Sequence, residues 1–222
     1  MCGRIVLTES PEEFTKRYQL AREINFEKNY NITPGQKHPI VHRDNNDKNV
    51  ADSMLWGLVP HWSKEPKTQY STINARFETI ESSPAFRQPY RSKRCLVPVT
   101  GFYEWQQRNG AKTPYYFHDK LDRLMSIAGL YDIWENEQGH KLESFTLVTT
   151  GANIIMKPVH DRMPAILDKA DEELWLDLET PDDVIKKILS PHKTKNLETH
   201  AISDAVNNPR NNSADLIKPI KY

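Results

Sequence analysis

Fifteen prolines spread along 222 residues exclude long uninterrupted helices, since proline brings no N–H to a helix interior and its ring clashes with the preceding turn. Set against only eight glycines, they describe many short elements joined by rigid turns. The chain is long enough for one good core, and 37% hydrophobic residues with 5 Trp, 9 Tyr and 7 Phe mark it as folded. Nowhere does it approach the roughly 18 apolar residues of a membrane span. Glu9, Glu12 and Glu13 leave no apolar signal region near the start. The expectation is an intracellular protein that makes no membrane contact.

Between the prolines the pattern is mostly that of short strands. Arg4 to Thr8 alternates weakly and reads as a strand carrying the N-terminus into the fold. Ser10-Pro11-Glu12-Glu13 supplies a cap, a proline at the first helical position and early acids, predicting a helix from Pro11 to about Leu20. Pro39 to His42 and Val50 to Trp56 read as a hairpin around Asp44-Asn45-Asn46-Asp47. Ser71 to Arg76 reads as extended, with Asn74 and Arg76 on one face. Phe77 to Ser82 and Pro84 to Tyr90 suggest short helical pieces. Arg94 to Val97, Gly101 to Trp105, Tyr115 to Phe117, Leu124 to Tyr131 and Ser144 to Thr150 form an antiparallel series, with turn signals at Asn109-Gly110 and Gln138-Gly139. One helical turn at Ala152 to Met156 and two helices at Asp171 to Leu178 and Pro181 to Leu189 follow. The polar tail from His192 to Tyr222 is expected to lie against the body. No repeat or linker divides the chain, and strands do not alternate regularly with crossover helices. The expectation is one α+β domain spanning residues 1–222.

The thirty basic and thirty acidic residues cancel, which excludes a generic polycation. Locally they separate: Arg87, Arg91, Lys93 and Arg94 occur without an acid between them, while Asp168 to Asp183 carries eight acids against Lys169. A basic surface for a polyanion and an acidic far side fit this division, as do two solvated faces of a neutral protein.

Two cysteines are too few for a disulfide framework or a thiolate zinc site. Cys2 becomes terminal once Met1 is trimmed, exposing an amine and a thiol on one residue, with reference pKa values of about 7.7 and 8.5. Such an aminothiol condenses with an aldehyde to an imine and closes to a thiazolidine; the alternative is a small buried hydrophobe at a strand start. Cys95, among apolar neighbours, reads as structural, with a thiol nucleophile paired to His160 as the other option. Glu104 stands between Tyr103 and Trp105, on one face with Phe102, where aromatic surface should raise its pKa and suit it to proton transfer; an edge acid or an arginine partner is the alternative. His160, beside Asp161 and Arg162, can donate a proton or contact a phosphate, or simply close a turn. Trp56 and Trp62 bracket a glycine and proline loop and read either as a stacking platform or lid or as core packing. The histidines show no zinc-enzyme spacing and the glycines no phosphate loop, so neither a metal nor a nucleotide cofactor is expected.

Six segments in order, Met1-Cys2-Gly3-Arg4, Trp56-Gly57-Leu58-Val59-Pro60, Ile73-Asn74-Ala75-Arg76, Arg94-Cys95-Leu96-Val97-Pro98, Gly101-Phe102-Tyr103-Glu104-Trp105 and His160-Asp161-Arg162-Met163-Pro164, resemble the abasic-site-processing proteins, also called SOS-response-associated peptidases. The tail around Val206 to Asn211 resembles the family's end. The resemblance implies an α+β fold with a barrel-like, bifurcated antiparallel sheet and peripheral helices, and a groove for single-stranded DNA. The implied activity is capture of an abasic site as a thiazolidine crosslink through Cys2 after loss of Met1, with lyase and self-processing activity associated. By the same resemblance Asn74 positions the terminal residue, Glu104 acts in acid and base steps, and His160 helps open the sugar. Arg4, Arg76, Arg87 and Arg162 are implied phosphate contacts, and Trp56, Trp62 and Phe86 pack against bases. His61 departs from the small residue expected after the loop proline. The expected setting is cytoplasmic, nucleoid-associated if the source is bacterial, for a monomer whose partner is abasic single-stranded DNA. A thiol autopeptidase using Cys2 and a noncovalent single-strand binding protein are the alternatives.

Overall fold

The structure is a computed structural model describing residues 2–67, 72–108, 110–190 and 196–220. Met1, Ser71, Asn109, His192 and Tyr222, on which sequence expectations fell, lie outside the described residues. The chain opens with β1 (Ile5–Leu7) and α1 (Pro11–Tyr18). Ser10 caps that helix by accepting from the Glu13 N–H at 3.2 Å, and Phe14 and Tyr18 are its buried residues. The helix stops two residues before Leu20, where Gln19 takes φ 51°. Then come β2 (Asn29–Ile32), β3 (Lys37–Arg43), β4 (Asn49–Trp56) and β5 (Asn74–Arg76). After a 3₁₀ turn at Phe77–Thr79 follow α2 (Arg87–Ser92), β6 (Arg94–Val99), β7 (Gly101–Arg108), β8 (Ala111–Asp119), β9 (Met125–Glu135) and β10 (Lys141–Gly151). The last elements are β11 (Arg162–Pro164), β12 (Ile166–Leu167), α3 (Glu172–Leu176), α4 (Asp182–Ile188) and β13 (Leu197–Ala201). No helix of the described residues is long and apolar enough to cross a membrane.

Five strands close on themselves. β9 pairs with β6, β6 with β3, β3 with β4, β4 with β10, and β10 again with β9. Closure removes the exposed strand edges that would otherwise be open to pairing with another chain, and the ring encloses Ile40, Met54, Trp56, Val97, Ile127, Phe145 and Leu147 in the core. The β3–β6 join is narrow, with Val41 opposite Leu96. Continuing that register would set Pro39 against Pro98, neither of which has an N–H to donate. The side chain of His38 bridges the gap instead, its Nε2–H donating to the Pro98 carbonyl at 2.8 Å.

The bifurcation lies along β10. On one edge β4 runs parallel to it at Ser144 and Phe145, then the chain leaves and returns as β5, parallel at Leu147 to Thr149. On the opposite edge β9 covers β10 as far as Leu147, and β11 takes over at Thr149 to Gly151. The parallel pairings add to the expected antiparallel scheme; the α+β class and the barrel-like, bifurcated sheet are as the sequence led one to expect.

A second sheet has the order β13-β8-β7-β1-β2, all antiparallel. The expected strand series is therefore split, with the β7–β8 hairpin in this sheet and β9–β10 in the barrel. Along β7 the side chains alternate as period two requires. Phe102 stacks on Phe117 at 5.1 Å in the main core, while Tyr103 packs on the other face with Val6, Tyr116 and Ile202. The tail does lie on the body: β13 zips along β8 from Leu197 opposite Asp119 to Ala201 opposite Tyr115.

Burial pushes the His38 imidazole down to about 4, while its reference value is near 6.5. Its share of stability is complete above pH 6.5 and is lost as pH falls through the window to 4, because only the unfolded state takes up the proton there. His38→Gln keeps an N–H donor without the titration. In denaturant unfolding at pH 7 and at pH 4.5 it should lose less stability between the two than the unaltered protein; an equal loss would refute this role.

Candidate active site

β1 covers β7 only at Gly101 and Phe102. One more bond, from the Tyr103 N–H to the Arg4 carbonyl at 3.0 Å, holds the chain before residues 2 and 3 diverge. They end on β5, where Asn74 Nδ2 donates to the Cys2 carbonyl at 2.8 Å in a buried position. Neighbouring backbone explains why Asn74 stands there. Leu147 of β10 lies opposite it, and the Leu147 N–H donates to the Ile73 carbonyl at 3.3 Å, so the extended register of Ile73 to Arg76 is fixed by β10.

Glu104 lies on β7 just past the point where β1 departs, and it is buried. Its Oε1 accepts from the Trp105 N–H at 3.3 Å. The Cys2 thiol is also buried, 3.7 Å from the Arg4 carbonyl that can accept its proton. Burial foremost, and then the negative charge of Glu104, push that thiol up to about 12. Sequence places these two residues a hundred positions apart, yet in the fold the Cys2 thiol feels the charge of Glu104.

His160 is half-buried at the end of the turn that follows β10. Its Nδ1 accepts from the Arg162 N–H at 2.9 Å, which leaves the neutral ring's proton on Nε2. The Asp161 Oδ1 stands 2.9 Å from the same Nδ1, so a protonated ring can donate there instead. The Gln106 Nε2 donates to the Pro158 carbonyl at 2.8 Å and ties this turn to β7. Between them opens a cleft of about 560 Å³, lined by Gly3, Arg4, Ile73, Glu104, Trp105 and His160, with Pro34, Gln107, Lys112 and Val159 at its margins. Glu104 and His160 line this opening, while Cys2 and Asn74 are buried next in chain to its lining residues Gly3 and Ile73. Gln107 and Lys112, which sequence reading did not single out, are direct cross-strand partners on the β7–β8 hairpin. The Asn109-Gly110 turn signal carried that register and could have placed them beside Trp105.

The residues expected to touch DNA divide. Arg4 lines the cleft, with Nη1 donating to Asn31 Oδ1 at 2.5 Å and to the Val206 carbonyl at 2.7 Å and its guanidinium 5.7 Å from the Trp105 ring centre. These partners are neutral, so they orient its charge without cancelling it. Arg76 and Arg87 are exposed, and Trp62 is 58% exposed. Trp56 is not available for stacking. It is fully buried on Phe145, and its Nε1–H donates to the Ile73 carbonyl at 3.0 Å. Phe86 is likewise buried in the core, because α2 folds down beside it. Arg162 is engaged by Glu78 through two bonds of 2.6 and 2.8 Å and also donates to the Thr149 carbonyl, so a phosphate would have to compete with a carboxylate. The basic run narrows in the same way. Lys93 is bonded to Asp132 at 2.5 Å, and Arg94 is buried between Tyr90 and Trp175 with its Nε donating to the Tyr90 carbonyl.

Cys95 is structural: it lies in the barrel core against Gly129, where burial lifts its thiol far above its ordinary range, and it does not line the cleft with His160. Among the described residues no group of three or more His, Cys, Asp or Glu is arranged to hold a metal ion.

Comparison with known proteins gives the family and the fold. The SOS response associated peptidase (SRAP) family matches residues 1–209. The chain is similar to the abasic site processing protein YoaM of Bacillus subtilis, 36% identical over 222 residues, covering 98% of this chain and 97% of the relative. It is 33% identical to the abasic site processing protein HMCES of Xenopus tropicalis, covering 99% of this chain and 78% of that one. A crystal structure of a Bacteroides thetaiotaomicron protein superposes with a TM-score of 0.89 at 27% identity, covering 99% of this chain and all of the other.

Asn74→Asp would place a second acceptor 2.8 Å from the Cys2 carbonyl. Losing a buried hydrogen bond and leaving its acceptor unsatisfied costs about 1 to 3 kcal/mol. Denaturant unfolding should show a loss of this size, and Asn74→Gln, which keeps the donor on a longer arm, should lose less; equal losses would count against the bond.

Proposed function

The chain belongs to the SOS response associated peptidase family, and from that premise we propose that it captures abasic sites in single-stranded DNA as a thiazolidine on Cys2 after Met1 is removed. The observation that carries this reading is the bond from Asn74 Nδ2 to the Cys2 carbonyl. It fixes the backbone of the residue that must react, at a cleft lined by a buried carboxylate and an imidazole.

The chemistry needs an aldehyde, and an abasic deoxyribose is mostly a closed ring. As an imidazolium, His160 keeps its Nδ1–H on Asp161 and presents its Nε2–H to the ring oxygen as the bond from that oxygen to C1′ breaks. The anomeric hydroxyl releases its proton to solvent, and the open-chain aldehyde results. The Cys2 amine, freed by loss of Met1, then bonds to C1′ to give a carbinolamine. Glu104, having taken a proton as a carboxylate from the Cys2 ammonium to free that amine, gives it to the departing hydroxyl, water leaves, and an iminium remains beside a carboxylate. The Cys2 thiol closes on the same carbon; its proton passes to Glu104, and the iminium electron pair returns to nitrogen. Overall, the Cys2 ammonium, its thiol and the aldehyde become a thiazolidine, one water and one proton, which Glu104 passes to solvent as it returns to a carboxylate. Holding both nucleophiles on one anchored residue gives the second bond a proximity advantage, with effective molarities that reach about 10⁵ M or more.

Arg4, Arg76 and Arg87 would contact phosphates, and Trp62 would stack on a base, a contact that tolerates every base. Arg4 serves this role with its charge already oriented by Asn31 and Val206.

Protein whose intact mass shows loss of Met1, incubated with single-stranded DNA carrying one abasic site, should give a slow band on a denaturing gel. Cys2→Ala should abolish the band. Glu104→Gln should slow its formation by about 10² or more, the contribution of a positioned acid and base. His160→Gln should slow capture of the ring-closed sugar and leave reaction with an open-chain aldehyde little changed. Correctly trimmed protein that gives no band would sink the proposal.

A further inference from the structure

Trp62 is a large apolar side chain that the fold leaves in solvent, 58% exposed. An indole on a slack loop would have to be ordered at each binding event, and that ordering costs affinity. Here both of its neighbours are tied down. The His61 N–H donates to Asp132 Oδ2 at 2.8 Å, and the imidazole Nδ1–H of His61 donates to the same oxygen at 2.9 Å. On the other side, the Ser63 carbonyl accepts from Trp134 Nε1–H at 2.7 Å. Asp132 and Trp134 are two apart on β9 and so share one face of it. The inner part of the loop is fixed as well, with the Val59 N–H donating to Ser144 Oγ at 2.8 Å.

Asp132 is the hub of this arrangement. It is 1% exposed, and its Oδ1 accepts from Lys93 Nζ at 2.5 Å and from the Ile133 N–H at 2.9 Å. A buried carboxylate is costly unless paired and hydrogen-bonded, and this one has both: Lys93 for its charge and His61 for its second oxygen.

The loop that carries Trp62 is rooted at the reaction site. The Leu58 N–H donates to the Thr72 carbonyl at 3.2 Å and the Trp56 Nε1–H to the Ile73 carbonyl at 3.0 Å, next to Asn74, and Ile73 lines the cleft. A strand bound at Cys2 and running outward along this loop would meet Trp62.

We propose that Asp132, with Trp134, is a positioning residue that holds the His61–Ser63 turn so that Trp62 stands rigid as a base-stacking platform beside the Cys2 cleft. The inference rests on the proposed capture of abasic single-stranded DNA and extends it to a residue that touches neither base nor sugar. It separates two things a variant could damage: the chemistry at Cys2, and the grip on the strand that brings the lesion there.

The test uses trimmed full-length protein and two substrates, an abasic single-stranded oligonucleotide and free 2-deoxyribose, whose aldehyde can react at Cys2 but has no base to stack. Trp62→Ala should weaken oligonucleotide binding about tenfold, the scale of one base on an aromatic ring. Asp132→Asn should weaken it several-fold, raise acrylamide quenching of the exposed tryptophan, and leave the rate of adduct formation with deoxyribose unchanged. In the Trp62→Ala background it should have no further effect on oligonucleotide binding, since the platform it serves is gone. An Asp132→Asn protein that reacts slowly with deoxyribose too, or that weakens binding equally with and without Trp62, would overturn the inference. Should that variant fail to fold, Trp134→Phe, which removes only the donor to Ser63, is held to the same pattern. If the unaltered protein forms no adduct with either substrate, it is the proposed function that fails, not the clamp.

Discussion

One hydrogen bond joins the two sheets at the point where chemistry is proposed: Asn74 Nδ2 on the barrel strand β5 to the carbonyl of Cys2 at the head of β1. β1 itself is fastened to the second sheet through Ile5 and Val6. Without the bond from Asn74, residues 2 and 3 would be held past their last strand tie at Tyr103 only by the burial of the Cys2 side chain and its contact with the Arg4 carbonyl. Asn74 owes its position to a topological feature well away from the terminus. β10 gives one edge first to β4 and then to β5, and the return of the chain as β5 delivers Asn74 opposite Leu147. The gap between β4 and β5 is also where the Trp62 loop leaves the barrel, so one split edge sets both the anchor of the reacting residue and the place of the exposed indole.

Electrostatic choices around the anchor are consistent with a neutral clamp on a reactive group. A lysine at position 74 would hold the same carbonyl, but its charge would favour the thiolate and oppose an iminium. An amide does neither. Arg4 is likewise oriented by an amide and a carbonyl, so its full charge still faces the cleft. Arg162 is the counterexample on the far side, spending its fork on Glu78, which it holds below the ordinary carboxylate range.

Local signals were the legible part of this sequence. The Ser10-Pro11 start of α1, the β3–β4 hairpin and the alternation of Phe102, Tyr103 and Glu104 follow from short-range rules and recur in the structure. That Cys2, Asn74, Glu104 and His160 belong to one site was an expectation from resemblance, because no local pattern brings positions 2 and 104 together. What local pattern could not reach was partner choice. Trp56 and Trp62 sit in one short segment with the same side chain, yet the first is core and the second is solvent-facing; the difference is that Trp56 still belongs to β4 and finds the Ile73 carbonyl, whereas Trp62 lies beyond the glycine and proline turn. Basic residues 87 to 94 looked uniform for the same reason, although Lys93 and Arg94 face Asp132 and the Tyr90 carbonyl while Arg87 and Arg91 face water. The strand at Leu197–Ala201 escaped notice because its alternation is polar and its hydrogen-bond partner, β8, lies some eighty residues upstream.

The high thiol pKa bears on the order of the proposed steps. With Met1 in place, a thiol pushed up to about 12 by burial and by Glu104 carries almost no thiolate near neutral pH. A terminal amine, with a reference value of about 7.7, is partly unprotonated there. The proposed sequence accordingly puts amine attack on the aldehyde first. The product of that attack changes the electrostatics of the pocket, because an iminium cation next to the thiol offsets the charge of Glu104 and favours release of the sulfur proton to that same carboxylate. On the proposed mechanism the thiol would be suppressed while the site is empty, when a free thiolate would be open to oxidation, and would react once its electrophile is in place. Burial, which in a freestanding nucleophile would be a handicap, would then make the second bond conditional on the first.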